Sequence, residues 1–182
     1  MLYIVLLHFP VYNKEKKVVT TAIANMDLHD IARIAKTYDV DGFYVVNPIE
    51  EQRRLAHEIV SHWITGVGAH YNKFRKDAFA LVRIRNTLPE VFAEIERETG
   101  QKPKTVVTGA GLAGNVLKIS QFKEMIMDGG SPFVILFGSG FGIAREVIDA
   151  SDFKLEPITG KGRYNHLSVR SAAAIILDRI SH

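Results

Sequence analysis

The chain contains no cysteine. Disulfides and thiolate metal sites are therefore excluded, and the absence agrees with a reducing, cytoplasmic setting. No apolar run approaches the roughly 20 residues that a membrane-spanning helix requires. Residues 1–8 are apolar but short, and they lack a basic leader and a small-residue cleavage site. They are expected to form a buried first strand and not a signal peptide. A strong excess of one charge is also missing, with 23 Lys and Arg against 20 Asp and Glu, for a net charge of +3. That balance permits an RNA partner without pointing to one, because dedicated nucleic-acid domains cluster their basic residues more strongly.

What is present is a globular composition, 47% hydrophobic and 24% charged, in 182 residues. That length suits one domain, residues 1–182, and the sequence shows no repeat, linker or low-complexity tract. Apolar patterning predicts strands at 2–8, 42–46, 105–108, 133–137 and 153–158. Helical spacing predicts helices at 27–38, with Asp27 as N-cap, and at 49–64, 88–98, 120–127, 143–148 and 167–180. Gly100 is a natural stop for the third of these. Segments 10–17 and 66–73 read as polar loops, and 77–85 reads equally as a helix end or a strand. Strands alternating with helices imply an α/β fold with a mostly parallel sheet and helices on both faces.

In such a sheet, ligands bind at the C-terminal ends of the strands. Three of the later strands run into unusual loops: Thr108-Gly109-Ala110-Gly111, Gly138-Ser139-Gly140-Phe141-Gly142, and residues 158–166, which hold Gly160 and Gly162. Glycines let a backbone turn sharply and approach a ligand closely. One such loop equally serves the chain's own turning, but three in one continuous stretch favour a shared site.

The stretch Phe133-Val134-Ile135-Leu136-Phe137-Gly138-Ser139-Gly140-Phe141-Gly142 resembles the second motif of the SPOUT (α/β-knot) RNA methyltransferases. Asn165-His166-Leu167-Ser168-Val169-Arg170-Ser171-Ala172-Ala173-Ala174-Ile175 resembles their third. The order and spacing of the pair also match. The region is most similar to the C-terminal domain of bacterial tRNA guanine-N1 methyltransferases, and to a small stand-alone family of predicted SPOUT enzymes. The resemblance implies S-adenosylmethionine as cofactor, tRNA or rRNA as substrate, a homodimer, and a C-terminal trefoil knot over about 104–182. By the same resemblance, the cofactor would be held by Thr108, Ala110, Leu136, Phe137, Gly138, Gly140, Gly142, Ile158, Tyr164, Asn165, Leu167 and Ser168. Leu and Ile side chains can sandwich an adenine, and Ser168 and Asn165 can also serve as helix caps.

Catalytic residues differ among SPOUT families, and the Asp that serves the guanine-N1 enzymes has no clear equivalent here, since Asp178 falls late in the last helix. Arg163 is the foremost candidate, because it lies within the third loop and could neutralise a phosphate or carboxylate. Asn13, Asn25, His29 and Arg75 are candidates for contact with RNA, and Lys73-Phe74-Arg75-Lys76 has the basic and aromatic character that backbone contact favours.

Three other readings remain open. One is a dinucleotide-binding oxidoreductase, with Glu156 near where a ribose-binding acid would fall; the glycine cluster lacks the G-x-G-x-x-G spacing, however, and too little chain follows it. Another is a knotted cofactor- or RNA-binding protein without catalysis. The third is a zinc site at His57 and His62. Those residues stand five apart, about 140° around a helix, so no metal is expected.

Overall fold

The computed structural model describes residues 1–162 and 164–182. Strand β1 (Leu2–Leu7) is apolar throughout, and its side chains alternate between two cores. Ile4 and Leu6 enter one, while Tyr3, Val5 and Leu7 enter the other. A strand buried on both faces reads as a continuous hydrophobic run and belongs in the middle of a parallel sheet. There follow β2 (Val11–Tyr12), β3 (Val18–Val19), α1 (Asn25–Thr37), β4 (Gly42–Val46), α2 (Glu50–Ile64), α3 (Val67–Tyr71) and α4 (Lys73–Phe79). Next come β5 (Val82–Arg85), α5 (Leu88–Thr99), β6 (Lys104–Val107), α6 (Ile119–Met127), β7 (Phe133–Gly138), α7 (Arg145–Ala150), β8 (Phe153–Lys154) and α8 (Val169–Ser181).

The six long-sheet strands are all parallel and lie in the order β5-β4-β1-β7-β6-β8. Apolar residues of α1, α2, α4, α6 and α8 fill one core, and those of α5 and α7 fill the other. The expected α/β architecture is thus present. No helix among the described residues is long and apolar enough to cross a membrane.

Local signals explain most boundaries. Thr87 accepts the backbone N–H of Glu90 at the start of α5, and Gly100 ends that helix with φ 73°. Ser168 Oγ accepts the N–H of Ser171 and so caps α8. The expected cap at Asp27 is displaced: the N-cap of α1 is Ala24, and Asp27 lies in the first turn. An acid there still favours the helix dipole. Segment 66–73 is mostly helical where a loop was expected. Asn72 Oδ1 accepts the N–H of Arg75, and burial of Ala78 and Phe79 anchors α4. The ambiguous segment 77–85 divides into the end of α4 and strand β5. The predicted strand 153–158 shrinks to two residues and one bridge, Leu117 to Leu155. Strand β2 falls inside the stretch 10–17 that reads as plain polar loop and β3 just after it, because two-residue strands carry no measurable periodicity.

Candidate functional site

The chain leaves β1 toward β4 on one side and leaves β7 toward β8 on the other. That divergence creates a crevice between the ends of β1 and β7, the usual ligand position in an open α/β sheet. Here the chain fills the crevice itself. The hydroxyl of Thr21 bridges His8 Nδ1, at 2.9 Å, and Ser139 Oγ. Ser139 donates both its N–H and its hydroxyl to the carbonyl of Leu7, at 3.1 and 3.0 Å. His8 is 1% exposed, its Nε2 has no partner among the described residues, and burial lowers its pKa to about 4. It is a neutral, positioned imidazole and not a solvent-facing base.

The hairpin clamps the glycine turn from the same side. Phe141 donates its N–H to Tyr12 O at 2.9 Å, and Tyr12 donates to Gly142 O at 2.8 Å. A Cβ on Gly140, whose φ is 59°, would stand 2.9 Å from Tyr12 O. Gly140, expected among the cofactor contacts, is therefore glycine on account of the hairpin backbone that a Cβ there would strike. Gly138 is constrained likewise, since a Cβ there would lie 2.5 Å from Ile143 Cγ1.

The other side of the turn is open. Among the described residues, a Cβ at Gly111, Gly142, Gly160 or Gly162 would meet nothing within 4 Å. Thr108 donates its N–H and its hydroxyl to Leu136 O, at 3.0 and 2.8 Å, fixing the first loop to the end of β7. Asn165 Nδ2 donates to Ala110 O at 3.2 Å, tying the third loop to the first. Ile158 is half-buried, Leu167 is exposed, and exposed Tyr164 packs edge-on to His166. The side chains of Leu136 and Phe137 do not join this surface. Each is buried in one of the two cores, so the expected adenine sandwich by Leu136 is not formed by its side chain. Arg163 lies outside the described residues.

A second grouping lies between α1 and α8. Arg170 Nη1 donates to Asp30 at 3.0 Å, and its Nε stands 3.1 Å from Asp27 without hydrogen-bond alignment. These pairs border an open groove of about 580 Å³ whose lining includes Arg33, Tyr38, Ser168 and Arg170. The groove thus begins where the third loop enters α8. Arg33 escaped the sequence reading, because a charged residue in a helix looks like any solvated one.

The four candidate RNA contacts do not form one cluster. His29 packs edge-on against Phe79 and Trp63, and the guanidinium of Arg75 sits 4.4 Å from the Trp63 ring centre. Burial, and then the Arg75 charge, lowers the pKa of His29. Asn13 instead accepts the N–H of Lys17 in the hairpin turn, beside the glycine loop, and Asn25 is exposed at the start of α1. Glu156, the one acid that favoured a dinucleotide, accepts the N–H of Ile119 at the start of α6.

A family described as SAM-dependent RNA methyltransferase matches residues 1–182. The chain belongs to this family of SAM-dependent RNA methyltransferases. Membership sets aside the oxidoreductase reading. A protein of Aquifex aeolicus is 41% identical to this methyltransferase over 178 residues, covering 98% of the chain and 87% of the relative. The tRNA (guanine-N(1)-)-methyltransferase of Oleidesulfovibrio alaskensis is 42% identical over 179 residues, 98% of this chain but only 41% of that protein. The chain thus spans less than half of that enzyme. Among solved structures, the SpoU methyltransferase AviRb of Streptomyces viridochromogenes, in complex with AdoMet, superposes with a TM-score of 0.62 at 16% identity. That match covers 100% of this chain and 56% of AviRb. A probable methyltransferase of Bordetella pertussis superposes with a TM-score of 0.64 at 14% identity, covering 99% and 94%. At these identities, the likeness supports the fold alone.

Proposed function

We propose that this methyltransferase holds S-adenosylmethionine across the loops that follow β6, β7 and β8, and methylates a nucleotide of tRNA or rRNA. The observation that carries this reading is the convergence of the three loops. Neighbouring strands release them at one sheet edge, Thr108 and Asn165 stitch them together, and their glycines leave an open surface. Such a surface fits a nucleoside. Backbone groups around Gly111 and Gly142 can approach ring nitrogens without a side chain intervening. Ile158 and Leu167 offer apolar contact, while Tyr164, Asn165 and Ser168 offer polar groups beside it.

The cofactor supplies an electrophilic methyl group on a sulfonium. The chain's task is to hold a nucleophilic atom of the RNA in line with that methyl group and to exclude water. The stitched loops supply rigidity for this task, and the His8–Thr21–Ser139 chain holds the glycine turn from behind. Arg163 is proposed to face the RNA or the cofactor carboxylate, a role that suits a permanently charged fork.

The same reading takes residues 1–182 as one domain of the cytoplasm, with a trefoil knot over about 104–182. Its support is the Asn165–Ala110 bond, which ties the segment after β8 to the loop after β6. Calorimetry should give a dissociation constant of about 1 µM or tighter for S-adenosylmethionine, near −8 kcal/mol, and far weaker binding of NAD. Transfer of labelled methyl groups to bulk tRNA or rRNA tests catalysis. Absence of both binding and transfer would sink the proposal, whereas binding without transfer would favour the non-catalytic alternative.

We further propose a homodimer that shares its site. The small-residue helix α8 is the candidate patch, which a two-fold dimer would use twice. Light scattering should report about twice the 20.4 kDa chain mass. Mixing Gly142→Val with Arg75→Ala chains should restore part of the methyl transfer that each variant has lost. A fully active monomer would refute the shared site and leave the cofactor assignment standing.

A further inference from the structure

Three large apolar side chains, Val67, Tyr71 and Phe74, are the most exposed of their kind among the described residues, at 80, 87 and 88%. All three belong to α3 and α4, next to each other in sequence. Scattered exposed hydrophobics need no explanation, but a cluster marks a contact surface. This cluster is rigidly mounted. Phe79 is fully buried at the end of α4, and the Arg75 guanidinium stacks on Trp63, which in turn meets His29 and His62 edge-on. The surroundings are basic. Lys73 and Lys76 are exposed on α4, and Arg33, Asn72, Phe74 and Arg75 line a hollow of about 220 Å³. Asp30 and Asp77 are the nearby acids, but Asp30 is engaged by Arg170.

Arg33 belongs both to this hollow and to the groove that reaches Ser168. The basic, aromatic surface is therefore continuous with the end of the third cofactor loop. We infer that the Tyr71–Phe74–Arg75 surface is the docking platform for a single-stranded segment of the RNA substrate. Unpaired bases would stack on Tyr71 and Phe74, with phosphates on Lys73, Arg75 and Lys76. The inference rests on the RNA methyltransferase reading and adds which part of the RNA is held, and where. Aromatic rings flanked by cations suit unpaired bases, because every base has a stacking face and every nucleotide a phosphate. A second copy of the chain suits the surface poorly: across a two-fold axis Lys73, Arg75 and Lys76 would oppose their own counterparts, and like charges in apposition repel.

Fluorescence anisotropy of the full chain with a labelled twelve-residue oligouridylate, and with a matched RNA duplex, tests the inference. The Tyr71→Ala/Phe74→Ala double variant should bind the single strand at least about tenfold more weakly, since stacking on each ring contributes substantially. Its melting temperature and its affinity for S-adenosylmethionine should stay at the wild-type values. Lys73→Ala and Lys76→Ala should each flatten the dependence of log affinity on log salt by about 0.7. Unchanged single-strand affinity in the double variant would overturn the inference, as would a wild-type chain that binds no single strand or prefers the duplex. A double variant that turns from dimer to monomer in light scattering would assign the surface to a second copy instead. Failure of the underlying reading would look different, because the wild-type chain would then neither bind S-adenosylmethionine nor methylate RNA.

Discussion

Gly142→Val is expected to weaken S-adenosylmethionine binding at least about a hundredfold, equivalent to about 2.7 kcal/mol, while the protein stays folded. Gly142 has φ 105°, and a Cβ there would meet no atom of the described residues within 4 Å. The new Cβ therefore meets nothing among the described residues and projects into the open side of the turn, where the adenosine is proposed to lie. Backbone strain contributes separately, at about 1–2 kcal/mol of stability, because L side chains avoid positive φ. Gly100 separates the two effects. It also has positive φ, 73°, and also has no neighbour within 4 Å, but it ends α5 away from the loops. Gly100→Val should lower the melting temperature comparably and leave cofactor affinity intact. Titration calorimetry on both variants decides the matter; wild-type affinity in Gly142→Val would remove the turn from the site. Gly140 makes a poorer probe, because a side chain there strikes Tyr12 before it meets any ligand.

The second large effect is a pH dependence of stability set by His8. Burial lowers its folded pKa to about 4, whereas an unfolded histidine titrates near 6.5. Between those values the unfolded chain binds a proton that the folded chain refuses, so stability falls as the pH is lowered through that window. Above about pH 6.5 both states are neutral and the term is fully favourable; below about 4 it is lost. The separation corresponds to about 3 kcal/mol. Urea unfolding of the wild type and of His8→Gln at pH 7, 5.5 and 4.5 should show a steeper loss in the wild type. Parallel curves would mean that His8 titrates normally in the folded chain. Because His8 reaches the glycine turn through Thr21 and Ser139, cofactor affinity should decline over the same window.

The features legible in the sequence were those whose cause is local. The continuous apolar runs of β1 and β7 marked buried parallel strands, and Gly100 marked the end of α5 through its backbone conformation alone. The three glycine loops pointed to one edge of the sheet because parallel strands deliver their loops there. Long-range causes were hidden. Gly140 is glycine on account of Tyr12, and Ser139 holds Thr21 across 118 positions of chain, which no periodicity reveals. Leu136 and Phe137 sit beside the glycine motif but obey strand alternation and point into opposite cores. Arg33 looked like an ordinary surface charge, and Arg170 stood only as one member of a motif, until the pairing of α8 with α1 placed them along one groove. The Arg170–Asp30 bond alone spans 140 positions.

The central place of β1 also orders the events of folding. Its neighbour β4 lies within the first 46 residues, but its other neighbour, β7, begins at Phe133. During synthesis, β1, β4 and β5 can pair while the chain is still growing, and the second edge of β1 then waits for most of the remaining chain to emerge. An unpaired apolar edge is a hazard for aggregation, and closing so distant a contact is slow. The half that carries β6, β7 and β8 must therefore dock last, onto a template laid down by the first half. Refolding from urea should accordingly be slow and sensitive to protein concentration, with the β1–β7 contact forming in the final phase.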